Sequence, residues 1–404
     1  MTQFLITKSN WKIKMISVRC LLISNLILLN IVLGQFSNFV SLNTYNDDNL
    51  FRTPDSIKVQ DVLSTFTLGL SYQDSESKIQ LHNTTNLMTY QNNSIRNFLI
   101  NNVGLNKSIS FNKNSTSNIN LGGNWSLRVN QDDYNYYNYS QLSGYANFQL
   151  LTDIILIKGG YSYRWRNYPN WTDLSNYLHN AHIQLNKSFS TRTTIIAEAG
   201  FGNKSFMGQD SFTTIGSTGH GHGRWASNTA TAITNTVSEQ LNTSQVNIVL
   251  RLTQSIHEKA GIYLQYRKQI SIDDSTNYRN FDDYYQDDEL FDDPFTYESD
   301  SYSSQLTLML PKATKLLIGG TFSSKNYISE LAYSTADDSV GIGGLRLDDQ
   351  TNYFIDLSKT FNINKDWVNS IKLNLYYSNT INETNSYWYN YKNTSLGGGI
   401  QWSF

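Results

Sequence analysis

The 404-residue chain has four prolines, one cysteine and few charges, Asp, Glu, Lys and Arg making up only 16% of it. The cysteine, Cys20, sits in an N-terminal leader, so the chain beyond it carries no thiol. That excludes a disulfide scaffold and any Cys-ligated metal, and a secreted domain must then be held by other forces. No apolar run reaches the roughly 20 residues that a membrane-spanning helix needs. The longest, Leu21 to Leu33, is interrupted by Ser24, Asn25 and Asn30. An excess of positive charge is missing as well. Removing residues 1–34 takes Lys8, Lys12, Lys14 and Arg19 from 31 basic residues and none of the 33 acidic ones, leaving 27 against 33, a net −6. That sign argues against nucleic acid as a partner.

The leader itself has an order. Lys12, Lys14 and Arg19 precede the apolar run, and Val32 and Gly34 stand at the −3 and −1 positions of a cut before Gln35. This is the layout of a secretory signal peptide, so residues 1–34 are expected to be removed near Gly34, leaving residues 35–404 as one domain. What the remaining chain has in abundance is aromatic residues, with 27 Tyr, 19 Phe and 8 Trp.

The last eleven residues are the most informative stretch. Leu396, Gly398, Ile400, Trp402 and Phe404 fall on one side of an extended chain, and Ser395, Gly397, Gly399, Gln401 and Ser403 on the other. That is a strand with one apolar face and one small, polar face. A chain that stops on an aromatic residue inside such a strand resembles bacterial outer-membrane β-barrel proteins of the porin-like kind, without matching one particular family. The resemblance implies that Gly399, Trp402 and Phe404 form an insertion signal read by the barrel-assembly machinery. Gly397 departs from the pattern, which prefers a polar residue there.

Alternation continues upstream. The most regular run is Ile119 to Val129, where every second residue from Ile119 is apolar or Gly123. Eleven residues of such regularity suit a strand with lipid on one face and water on the other, and exceed the usual soluble strand. Fifteen such segments precede the closing one, predicting an all-β, single antiparallel transmembrane barrel of about 16 strands, with 14 or 18 as alternatives. Counting connectors back from Phe404 assigns short turns to the periplasmic side and long loops to the outer side, the asymmetry of these barrels. Pro54, Pro169, Pro294 and Pro311 all fall in connectors, as the lost ladder donor requires.

The same parity sorts the charges. Arg96, Arg128, Lys158, Arg251, Arg267 and Lys372 are predicted to point into the lumen, with Glu198 and Asp356 opposing them. This set suggests a lumen that mildly favours anions. Eleven acidic residues crowd into Asp273–Asp300, Asp287 and Asp288 among them, opposed only by Arg279. Clustered carboxylates can hold Ca²⁺, and His220 and His222 can share a metal. The default for both is a solvated or glycine-rich outer loop, bridged for the acidic one by divalent ions to lipopolysaccharide, and no metal is assigned. No cofactor motif occurs, and no His, carboxylate and nucleophile assemble as a hydrolase would need, so an enzyme is not expected. The expected function is passive diffusion of small hydrophilic solutes through the outer membrane. The competing reading is a structural or partner barrel in a secretion or surface-assembly complex, and a barrel enzyme ranks third. Outer-membrane lipid and lipopolysaccharide are the expected surroundings, and the pattern specifies no oligomeric state.

Overall fold

The computed structural model describes residues 36–111, 116–207, 213–216, 231–234, 242–273, 291–365 and 368–404. Sixteen antiparallel strands close into one barrel. In chain order they are β1 (Phe36–Asp47), β2 (Asp61–Asp74), β3 (Ile79–Tyr90), β4 (Phe98–Ser110), β5 (Asn118–Asn130), β6 (Tyr139–Leu151), β7 (Leu156–Asn167), β8 (Asn176–Ser188) and β9 (Thr193–Phe206). Then follow β12 (Asn242–His257), β13 (Ala260–Ser271), β14 (Tyr297–Leu310), β15 (Thr314–Leu331), β16 (Leu345–Lys365), β17 (Val368–Thr384) and β18 (Tyr391–Ser403). Two four-residue strands, β10 (Thr213–Gly216) and β11 (Thr231–Thr234), pair with each other in the longest connector and stand outside the barrel.

Each barrel strand pairs with its chain neighbours, and β1 closes on β18 with Leu42 opposite Ile400 and Asn43 opposite Gly399. Closure leaves no sheet edge unpaired, which is what lets strands cross a bilayer. At the end that holds both Phe36 and Phe404, the connectors run from two residues (258–259) to seven (111–117). At the opposite end most are longer, up to 207–241 and 272–296. Sixteen strands, one short-turn end and an outward apolar band are the marks of an outer-membrane barrel, with the short turns periplasmic. No described helix is long and apolar enough to cross a membrane.

The outward face follows the alternation. Leu42, Phe66, Leu121, Leu142, Ile183, Leu250, Ile318, Leu375 and Leu396 are all exposed large apolar side chains. Aromatic residues mark both rims of this band. Phe36 packs on Tyr72 at the periplasmic rim, and Tyr163 packs on Tyr177 towards the outer one. Tyr161 Oη and His179 Nδ1 share a hydrogen bond of 2.6 Å there.

One sequence expectation needs correction. Arg96 does not lie in a strand; it ends a 3-10 turn, Ser94–Arg96, between β3 and β4. Its guanidinium stacks on the rings of Phe51 and Tyr134, a rim contact rather than a place in the barrel wall. Tyr90 is buried with Leu50, Leu63 and Phe98 on the inner side.

Candidate functional site

Register decides what faces the lumen. One cross-strand row runs Lys158, Gln184, Glu198, Val249, Arg267, Ser301, Ser323, Gln350, Asn382 and Tyr391. Partners in such a row share a face, and Tyr391 has the parity of Ser395 and Gln401, opposite to the exposed Leu396. Lys158, Glu198 and Arg267 therefore point inward. A second row carries Arg251, Gln265, Ser303, Thr321, Asn352 and Thr380 on the same face. Asp356 joins it through Tyr376 and Gly397, and Lys372 through Gln401. Arg128 also points inward, beside Ile100 and Tyr139. It is buried, with its guanidinium 3.9 Å from the Phe98 ring centre and its Nε donating to Asn130. It is packed into the wall rather than open to the lumen.

The outer end of the barrel is packed, which alternation alone does not reveal. Between β13 and β14 the chain drops inward at Phe291–Thr296. Asp293 is fully buried and ion-paired with Lys204 of β9, whose side chain is 1% exposed. The same carboxylate accepts the Phe295 N–H at 2.9 Å and so caps the 3-10 turn Pro294–Thr296. Asp292 is ion-paired with Lys325 of β15 and accepts the Tyr327 hydroxyl at 2.7 Å. Gln269 of β13 donates to the carbonyl of Tyr297 at 2.8 Å, and Thr243 of β12 to that of Phe295 at 3.3 Å. The segment thus lies across the inner face from β9 to β15. Phe295 rests on Gly202, where an added Cβ would meet its ring at 2.9 Å.

Other loops complete the packing. Arg52, in the β1–β2 loop, lies over the Phe291 ring at 5.1 Å. Tyr137, Tyr139, Tyr168 and Leu174 form a buried cluster at another part of the rim. Beside the inturned segment, Arg346 of β16 bonds Glu330 at 2.8 Å and Asp348 at 2.9 Å, between the rings of Tyr327 and Tyr389. Burial tends to raise the Asp292 carboxyl, but the Lys325 and Arg346 charges outweigh it and hold the group below the usual carboxylate range.

By sequence the acidic stretch is expected to be a solvated outer loop. Asp293 is instead a buried counter-ion and Asp292 a partly buried one, because each meets an inward lysine that the parity count does not reach. Lys204 and Lys325 lie past the regular part of their strands, so only the pairing in space identifies them. Asp287, Asp288, His220 and His222 lie outside the described residues. Among the described residues, no group of three His, Cys, Asp or Glu side chains could hold a metal.

No protein-family model matches the chain, and no curated protein does. Solved structures align over most of its length at low identity. OmpT, an outer membrane protein of Vibrio cholerae, is 13% identical over 93% of this chain and 100% of its own, with a TM-score of 0.44. OpdK of Pseudomonas aeruginosa is 11% identical over 92% and 100%, TM-score 0.44. OccAB4 of Acinetobacter baumannii is 10% identical over 92% and 99%, TM-score 0.49.

Proposed function

We propose that the barrel is a porin-like outer-membrane channel through which small hydrophilic solutes diffuse passively, with a mild preference for anions. The observation that carries this reading is the inner face below the packed mouth. Gln265, Ser303, Thr321, Asn352 and Thr380 point away from lipid and still keep part of their surface accessible. On an inward-facing residue, accessible surface is lumen surface. Barrels of 16–18 strands generally leave such an aqueous bore. The anion preference rests on Lys158, Arg251, Arg267 and Lys372, which outnumber Glu198 and Asp356 on that face. Charges in a narrow wet channel act at reduced dielectric.

The reading includes two steps of biogenesis. Residues 1–34 direct export and are cleaved near Gly34, and the assembly machinery reads Gly399, Trp402 and Phe404. Lipopolysaccharide then surrounds the outer rim.

Swelling of liposomes carrying the refolded protein tests the channel. Arabinose should enter them, and larger neutral oligosaccharides should enter more slowly. Liposomes no more permeable than protein-free ones would contradict it. A reversal potential in a KCl gradient tests the preference: the sign for chloride is expected, and the sign for potassium would overturn it. The partner-barrel reading keeps one specific support. Val340 and Ile342, in the loop between β15 and β16, are 66% and 75% exposed, an apolar tip suited to contact with another protein. A silent barrel that co-purifies with one stoichiometric protein would favour it.

A further inference from the structure

The inward cations differ in their partners. At the mouth, Lys204, Lys325 and Arg346 each bind a carboxylate. Deeper on the β12–β13 wall, Arg251 and Arg267 form no ion pair among the described residues. Arg251 pairs in register with Gln265, and Arg267 with Val249, so the two arginines are diagonal neighbours on one face. Both are partly exposed.

Their surroundings orient them without neutralising them. Arg251 donates from Nε at 3.1 Å and from Nη2 at 2.7 Å to the same acceptor, Gln265 Oε1. Its guanidinium also lies 5.1 Å from the centre of the Tyr263 ring. Arg267 donates from Nη2 to Asn247 Oδ1 at 3.1 Å, and its buried Nε has no hydrogen-bond partner. A guanidinium carries five donors and no acceptor, so the amides leave most of this capacity unused. Two like charges side by side cost free energy, and an oxyanion bound between them relieves that cost through charge-assisted hydrogen bonds. Glu198 faces the same wall from β9, opposite Val249, but lies in no ion pair among the described residues.

We infer that Arg251 and Arg267 form an anion subsite on the lumen wall that binds the carboxylate or phosphate group of a passing solute. Gln265 and Tyr263 fix the fork of Arg251, and Asn247 positions Arg267. The Tyr263 ring adds a flat apolar surface beside the charge, suited to the organic part of the solute. The subsite gives the proposed channel a place where an anion pauses, and to that extent it rests on the channel reading. Its mark is site-specific binding, which the general field of the lumen charges does not produce.

Ligand-observed NMR on the detergent-refolded barrel, by proton saturation transfer for succinate and by phosphorus-31 line broadening for inorganic phosphate, tests this without requiring conduction. Succinate and inorganic phosphate serve as separate probes, and binding of either supports the subsite and names its source. Arg251→Gln or Arg267→Gln should weaken binding about tenfold, the loss expected for one charge-assisted hydrogen bond. Lys372→Gln, elsewhere in the lumen, should leave it within about twofold, and Glu198→Gln should tighten it. Arg267→Lys keeps the charge and loses the fork, so it should fall between wild type and Arg267→Gln, and it replaces that variant if Arg267→Gln does not refold. Neither probe binding, or the arginine variants binding no more weakly than Lys372→Gln, would overturn the inference. A barrel that binds succinate but is silent in liposomes would contradict the channel and leave the subsite standing.

Discussion

Lys204 and Asp293 are both withdrawn from water, so each carries a desolvation penalty that their ion pair offsets in large part. Removing one partner strands the other charge, at a cost of about 3–5 kcal/mol. The inturned segment can escape that cost by lifting out of the barrel, because a connector is freer to move than a strand. Lys204→Met should therefore release Phe291–Thr296 and raise conductance while the barrel stays folded. Adding Asp293→Asn should restore much of the wild-type value. An unchanged conductance in the single variant would show that the segment does not limit passage. The Asp292 pair sets the pH dependence. Its folded carboxyl lies below the ordinary value, raised by burial but lowered more by Lys325 and Arg346. A depressed carboxylate contributes stability that is full above the unfolded value of about 3.9 and is lost as pH falls through the folded one. Conductance should stay flat from neutral pH down to about that value and change only in stronger acid. A transition between pH 5 and 7 would contradict this assignment.

At the scale of the element, the seam between β1 and β18 explains where the closing strand departs from its pattern. Gly397 faces Tyr45 across the seam, and an added Cβ would lie 2.6 Å from the Tyr45 Cα. At Gly399 it would lie 2.8 Å from the Leu42 carbonyl oxygen. A side chain at either place must push the first strand away from the last. Gly397→Val should weaken closure by about 1–3 kcal/mol, as overpacking does elsewhere. The check is heat-modifiable gel mobility against temperature, where an unshifted transition would show that the seam tolerates bulk. Strand length is the other lesson of this scale. All sixteen strands are legible from period two because one side of each must be apolar against lipid. Their outer extensions are not. β15, β16 and β17 run 18, 21 and 17 residues, well past the 9–11 a bilayer needs. Past Phe322 and Tyr353 the outward row is interrupted by Ser324 and Asn326 in β15 and by Thr351 and Asp349 in β16, and the alternation that marks a strand is lost there. That is why Arg346, Asp348 and Glu330, all of them in these extensions, drew no notice in the sequence, and why Arg96 was drawn into a strand that starts at Phe98.

At the scale of the molecule, the barrel separates two tasks along its axis. The outer end spends its charges on structure, pairing cations with carboxylates and filling the mouth with aromatic side chains. The lower lumen keeps polar groups and several cations accessible. The candidate site was therefore half legible. Parity alone placed Arg251, Arg267 and Lys158 on the inner face. It could not separate them from Arg128, which shares their parity yet is packed on Phe98 of β4, because burial depends on neighbours across the wall that no periodicity describes. In the proposed channel, the inturned segment and the loops around it would set the width of the passage. The most direct measurement is the current through single refolded barrels in a planar bilayer of symmetric KCl. Stable, ohmic steps that grow when Lys204→Met frees the mouth are the expected result. A wild-type barrel and a Lys204→Met barrel that both insert and stay silent would contradict the channel.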